Sequence, residues 1–237
     1  MRTATFAATG HRVRETQRRP LTNWSLWLCV SVACIAAFAT TSVFAAEIEH
    51  DMRVTVRVYD NSGYRDVDIQ SAVDTATAIL RAAEVDVAWH SCDAAFVRTP
   101  EHPCAAPLGG NDLGVRLVRM RTALNYRGDL PLGYSLVDAR TRGGALATIF
   151  MDRVLWLADA AKIEVGPLLG RAMAHEIGHL LLGANAHTDV GLMRAVWSCQ
   201  SLRLNDPADW MFRADDIQTM KQAIRVRAVP QMAKLSF

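Results

Sequence analysis

The order of elements in the sequence predicts an α+β fold, a single domain in which helices pack on one mixed β-sheet. Two observations lead to this class. Short segments in which apolar and polar residues alternate recur between residues 52 and 151, as expected of half-buried strands. Longer segments with apolar residues at helical spacing lie between and after them. The chain therefore begins with strand, helix and strands, and ends with helices.

Residues 1–45 differ in composition from the rest and are typical of a signal peptide. Basic residues precede an apolar stretch from Leu26 to Ala39, and Val43-Phe44-Ala45 suits cleavage after Ala45. The alternative is an uncleaved anchor, because residues 24–46 are long enough to span a bilayer. We expect a secreted or periplasmic domain of residues 46–237, or the same domain held outside the cytoplasm by the anchor.

The charge of the predicted mature domain argues against polyanionic partners. Residues 1–45 hold five arginines and one glutamate, so removing them leaves 21 basic against 23 acidic residues. A near-neutral domain gives no reason to expect nucleic acid, and we expect membrane contact only if the leader stays uncleaved. The oligomeric state is left open.

The first predicted elements alternate between strand and helix. Met52 to Tyr59 alternates apolar with polar residues and reads as a strand, followed by a turn at Asn61-Ser62-Gly63. Ile69 to Ala83 has the spacing of an amphipathic helix. Val85 to Trp89 is a second strand.

An irregular loop from His90 to Pro107 contains Cys92 and Cys104, for which we predict a disulfide, because an exported protein permits one. An alternative is a second zinc site, since a histidine lies two residues before each cysteine. Cys199 is left over, or pairs with one of the two instead.

Three strands and a loop are predicted next. The strands are Gly114–Met120, Tyr134–Val137 and Ala145–Met151, with a loop at Leu124–Gly133 and a turn at Arg142-Gly143-Gly144.

The remaining predicted elements are helices. Arg153 to Ala161 forms one, and another begins near Asp215 and Asp216, whose carboxylates favour the positive end of a helix dipole, and runs to about Val226.

The helix between them is the centre of the functional prediction. It starts near Gly166-Pro167 and ends at Gly183, which can adopt the left-handed conformation that stops a helix. His175 and His179 are one turn apart on one face, so both can bind one metal ion. Glu176 between them can reach a metal-bound water without binding the metal.

A catalytic zinc ion needs a third protein ligand. His187 is the one histidine after this helix, and Gly183 provides a turn that could bring it back to the metal. The other candidates are carboxylates: Asp189, Asp206, Asp209, Asp215 and Asp216.

The segment from His175 to His187, with Met193 after it, resembles the metzincin zinc endopeptidases, and most closely their matrixin branch. The family pattern is H-E-x-x-H-x-x-G-x-x-H followed by a methionine turn. His175 and His179 match two ligands, and Glu176 the general base. Gly183 and His187 match when one extra residue is allowed before the glycine and one after it, and Gly191-Leu192-Met193 matches the methionine turn.

This resemblance implies a zinc-dependent endopeptidase that hydrolyses peptide bonds in a peptide or protein substrate. Zn²⁺ would be held by His175, His179 and His187, and Glu176 would act as general base. A sheet-edge strand should hold the substrate in extended form. Ala145–Met151 is our candidate for it, with an interior strand as the alternative.

Two other functions fit the same residues. One is a non-catalytic exported zinc-binding or interaction protein with a zincin-like fold, although such a protein does not need the Glu176 carboxylate. The other is a zinc hydrolase acting on a different amide, such as a cell-wall peptide. A chance occurrence of the five-residue motif on an ordinary helix is the remaining interpretation.

Overall fold

The structure is a computed structural model that describes residues 52–92, 102–120, 131–138 and 140–228. The predicted leader, residues 1–45, and most of the predicted loop before Gly133 lie outside these ranges. The described residues form the α+β arrangement that the sequence predicts, with one mixed five-stranded sheet and helices packed against it.

The sheet has the strand order β2-β1-β3-β5-β4. Neighbouring strands are parallel except β4, which runs antiparallel to β5 at one edge. A parallel neighbour requires a crossover connection, whereas β4 and β5 are joined by a short hairpin. The strands are β1 Arg53–Asp60, β2 Asp86–Ser91, β3 Asp112–Val118, β4 Gly133–Asp138 and β5 Gly143–Phe150.

Five α-helices and one 3₁₀ turn accompany the sheet in the described ranges. They are α1 Asp66–Ala82, α2 Met151–Ala161, α3 Val165–Leu182, α4 Cys199–Leu204, the 3₁₀ turn Pro207–Trp210 and α5 Ala214–Ala228. Every residue of α3 from Leu168 to Leu181 is buried, because α3 packs between α1, α2, α5 and the sheet. The sequence predicts neither α4 nor the 3₁₀ turn, which are too short to show a periodic pattern.

The prediction that the segment Ala145–Met151 forms an edge of the sheet is wrong. Residues 145–150 of the segment Ala145–Met151 belong to β5, which lies between β3 and β4, so the interior alternative is correct. The edge beside α3 is β4. Gly143 and Gly144 also belong to β5 and not to a turn, and Met151 begins α2.

The start of α3 differs slightly from the prediction. The helix begins at Val165, so Pro167 is its third residue and not its first. Proline is tolerated there because the amides of the first turn have no partner within the helix.

Cys92 and Cys104 form a disulfide, as the sequence predicts, and Cys199 is a free cysteine. The bond joins the end of β2 to the segment before β3. Because both thiols are oxidised, the alternative of a second zinc site on these cysteines is wrong.

None of the helices in the described ranges is long and apolar enough to cross a membrane. The possible anchor at residues 24–46 lies outside those ranges, so the domain boundaries and the cellular location stay predictions.

Candidate metal centre

Two buried histidines face each other on α3. The Nε2 atoms of His175 and His179 are 3.0 Å apart, as expected of imidazoles one helical turn apart on one face. Two nitrogens on one tetrahedral zinc ion lie about 3.4 Å apart, given bonds of about 2.0–2.1 Å. The pair therefore has nearly the spacing that one metal ion requires.

The other ring nitrogen of each histidine is held by a backbone carbonyl. Nδ1 of His175 lies 2.9 Å from the Leu192 carbonyl oxygen, and Nδ1 of His179 lies 2.9 Å from that of Ala184. A carbonyl can only accept, so each Nδ1 must carry the hydrogen. In the neutral rings, both Nε2 atoms then present lone pairs, which is the form that ligates metals.

His187 is exposed and completes a group of three. Its ring centroid lies 4.9 Å from that of His179 and 5.3 Å from that of His175. One nitrogen from each ring falls within 4.8 Å of the others. The structure brings no aspartate of the described residues into this group.

Metal ions suit this donor set better than protons do. Burial, with a smaller contribution from neighbouring His179, lowers the pKa of His175 to about 3. Burial also lowers the pKa values of His179 and His187. At neutral pH no proton therefore separates the facing lone pairs, which repel one another unless a cation lies between them. The three histidines could hold a divalent metal.

Glu176 lies beside this group, with a carboxylate that is hard to ionise. Burial raises its pKa to about 7, although a hydrogen bond from Ser135 opposes the shift. The Ser135 hydroxyl lies 2.7 Å from Oε2 and 2.8 Å from the Glu176 backbone oxygen. A pKa near 7 lets a carboxylate both accept and return a proton at neutral pH.

The start of β4 fits closely over Glu176. A Cβ at Gly133 would lie 2.9 Å from Oε1 of Glu176 and 2.7 Å from the Thr148 carbonyl oxygen. Only glycine leaves room there for both the carboxylate and the hairpin with β5. Gly133 and Ser135 are site residues that the sequence interpretation did not find, because their roles depend on a contact with a helix some 40 positions later.

Gly183 ends α3 in the left-handed conformation, with φ of 65°. Its amide donates to the His179 carbonyl oxygen at 3.0 Å. The turn directs the next carbonyl, that of Ala184, towards the His179 ring, and the chain then leads to His187. Gly183 thus has the structural role that the sequence predicts for it.

The Gly191-Leu192-Met193 segment lies against the same helix. A Cβ at Gly178 would lie 2.9 Å from the Met193 sulfur and 2.6 Å from a ring carbon of Phe212. Gly178 therefore permits close packing of this turn, whose Leu192 carbonyl orients His175. Its position inside the histidine motif is the one signal in the sequence that could have singled it out.

Aromatic side chains form the wall beyond His175. Trp197 contacts the His175 ring edge-on, with ring centroids 5.6 Å apart. The Trp197 ring also contacts the Trp210 ring edge-on, with centroids 5.5 Å apart. Arg171 stacks on Trp210, with its Cζ 4.0 Å from the ring centroid. This packing holds the chain after Met193 against α3.

An open cleft of about 420 Å³ leads to the histidines and Glu176. Its walls are the start of β4, one face of α2 and residues 194–197. The histidines and Glu176 are among the residues that line it.

Comparisons with known proteins give little further information. No family model and no curated protein matches the sequence. The chain is similar to the solved structure of archaemetzincin from Methanopyrus kandleri, with a TM-score of 0.48 and 14% sequence identity, over 73% of this chain and 97% of that one. At this degree of likeness, the function has to be judged from the geometry of the site.

Proposed function

We propose that this protein is an exported zinc-dependent endopeptidase of metzincin type. The observation that carries the proposal is the convergence of three imidazoles beside a buried carboxylate at the base of an open cleft. A purely structural metal site is closed and has no need of a carboxylate that titrates near neutral pH. The residues of the helix resemble those of the matrixin branch, whereas the spacing to His187 is two residues longer than in the metzincin pattern.

In this proposal His175, His179 and His187 hold the ion as neutral imidazoles. A zinc ion held by these three residues would supply Lewis-acid chemistry and would lower the pKa of a bound water towards 7. Glu176 accepts the proton of the attacking water and returns it to the leaving amine. Ser135 fixes the orientation of Oε2 during both transfers.

The edge strand β4 is the proposed substrate-binding strand. Among the described residues it pairs with β5 alone, so its other side would offer backbone donors and acceptors to an extended peptide. Ser135 points inward to Glu176, whereas Tyr134 and Leu136 are exposed. A peptide added to this edge would pass directly over the carboxylate.

Export is the proposed route to the site of action. The Cys92–Cys104 disulfide supports an oxidising compartment outside the cytoplasm. Cleavage after Ala45 would release the domain, and retention of residues 24–46 would leave it attached to the membrane.

Metal analysis of the domain from residue 46 onward tests the site. We expect about one zinc ion per chain, and much weaker binding in His187→Ala, because catalytic zinc takes three protein ligands. His90→Ala is the matched control, since His90 lies outside the cluster. Unchanged zinc in His187→Ala would assign the third position to another group, and no zinc in the wild type would reject the proposal.

Glu176→Ala tests catalysis separately from binding. The variant should retain zinc and lose peptide cleavage, because Glu176 moves a proton and does not bind the ion. A wild-type protein that binds zinc but cleaves no peptide would support the alternative, an exported zinc-binding protein without activity.

A further inference from the structure

Arg153, near the start of α2, is a buried cation on the wall of the cleft. Its side chain is only 9% exposed. One guanidinium nitrogen, Nη1, donates to the Pro131 carbonyl oxygen at 2.6 Å, and Cζ lies 4.2 Å from the Phe150 ring centroid. These contacts fix the side chain at the entrance to β4, close to the site but outside the proposed catalytic group.

Within the described ranges, no carboxylate forms an ion pair with Arg153. Its buried Nε also has no hydrogen-bond partner there. A buried charge that lacks a counter-ion costs free energy, which an anion from outside can recover. Arg194, the other arginine of the cleft, already pairs with Asp209 at 3.2 Å.

The described residues that line the cleft carry a net positive charge. Glu176 contributes the one carboxylate among the described lining residues, and the two arginines are both cationic. Bound metal would add further positive charge. A cleft with a net positive charge and apolar walls, formed here partly by Trp156 and Leu157, attracts ligands of the opposite sign.

We propose that the cleft selects peptides with a carboxylate placed to pair with Arg153 on the α2 side of the cleft. This inference rests on the proposed peptidase function and names its substrate class. Arginine suits the task, because its planar guanidinium can donate two parallel hydrogen bonds to a carboxylate. The carboxylate of the peptide would belong either to an acidic side chain or to the free C-terminus of a short peptide.

Three matched pairs of peptides distinguish these two sources. Two pairs carry glutamate or glutamine with an amidated C-terminus, one pair on each side of the scissile bond. The other pair has an apolar side chain there and a free or amidated C-terminus two residues on. We expect kcat/KM to be roughly tenfold or more higher for the acid member of one pair, which is typical of a charge-assisted hydrogen bond.

Arg153→Met should abolish this preference while the neutral peptides are still cleaved, and Arg153→Lys should keep part of it. Arg171→Met is the matched control. Arg171 is equally buried, stacks on an aromatic ring at 4.0 Å and does not line the cleft. Both methionine variants lose packing, but only Arg153→Met should change the ratio between acid and neutral peptides.

Binding to the Glu176→Gln variant, measured by calorimetry with the same peptides, separates the two proposals. If the wild-type protein cleaves acid and neutral peptides equally well, this inference is overturned and the peptidase function stands. The same holds if the preference for acid peptides persists in Arg153→Met. If the wild-type protein cleaves none of the peptides but an acid peptide binds in a way that depends on Arg153, the peptidase function is rejected and the carboxylate-binding site is kept. Equal binding of acid and neutral peptides would overturn the inference directly.

Discussion

At the scale of single residues, burial acts in opposite directions on the two kinds of titratable group in this site. It raises the pKa of Glu176 to about 7 and lowers that of His175 to about 3. Both shifts favour the neutral form. The metal-free site is therefore close to uncharged at neutral pH, with a carboxyl group able to take up or release a proton and imidazoles able to bind a cation.

These shifts affect the stability of the metal-free protein in opposite ways. Between about pH 4.5 and 7 folded Glu176 keeps a proton that the unfolded chain has released, so its contribution falls as the pH rises. Folded His175 stays neutral from about pH 6.5 down to about pH 3, where the unfolded chain is protonated, so stability is lost as the pH falls through that range. In the shared range the two contributions largely cancel.

Glu176→Gln should remove the contribution of Glu176 to the pH dependence of stability and leave that of His175. We expect the metal-free variant to be more stable than the wild type at pH 8, on the order of 3 kcal/mol, and equally stable near pH 4. Its loss of stability on acidification should be steeper. Urea unfolding in a chelator at several pH values measures this. Glu164→Gln, at an exposed position, is the control, and identical pH profiles for wild type and Glu176→Gln would contradict the assignment.

At the scale of elements, α3 carries three of the four proposed site residues, His175, Glu176 and His179. Two glycines, one inside the helix and one at its end, determine how the other segments reach it. Gly178 allows the segment from Gly191 to Met193 to approach the helix. Gly183 ends the helix and turns the Ala184 carbonyl towards His179. The metal site therefore depends on backbone shape at the end of α3 as much as on the side chains that point into it.

Gly183→Ala should cost roughly 2–5 kcal/mol of stability, because alanine is strained at this positive φ and its Cβ would overlap the Arg142 carbonyl. Zinc affinity should also fall about 10- to 100-fold, as expected when a carbonyl that orients a ligand is displaced. Urea unfolding and competitive zinc titration measure the two effects.

Gly63→Ala separates conformational strain from overlap. Gly63 has a similar φ of 60°, and a Cβ there would meet no atom within 4 Å. This variant should lose only about 1–2 kcal/mol and keep its zinc affinity. Equal losses in both variants would show that the contact with Arg142 has no energetic role.

At the scale of the whole molecule, the disulfide and the cleft lie in different parts of the fold. Cys92–Cys104 closes a loop between β2 and β3, whereas the cleft is formed by β4, α2, α3 and the segment after Met193. The disulfide should therefore stabilise the domain without influencing the metal site.

Replacing both Cys92 and Cys104 by serine should lower the free energy of unfolding by about 3 kcal/mol, as expected for a loop of this length. Zinc stoichiometry and peptide cleavage at low temperature should not change. Cys199→Ser is the control and should leave stability nearly unaltered. Loss of zinc in the double variant, under conditions where it remains folded, would show that the two regions are coupled.

Local patterns in the sequence were sufficient for the fold class, for most strands and helices, and for the positions of His175, Glu176 and His179 on one helix. The reason is that periodicity and the spacing of one helical turn are properties of neighbouring residues. Gly183 was also recognisable, since a glycine after a helical pattern is a local stop signal.

Only the tertiary structure decided which strand forms the sheet edge, because alternation looks the same in an edge strand and an interior one. It also decided that His187, and none of the five aspartates that the sequence offered as alternatives, joins the histidine pair. The contact of Ser135 with Glu176, and the lack of a counter-ion for Arg153 among the described residues, became visible in the same way. Each of these features depends on which distant segments meet, and that is settled by packing over the whole domain.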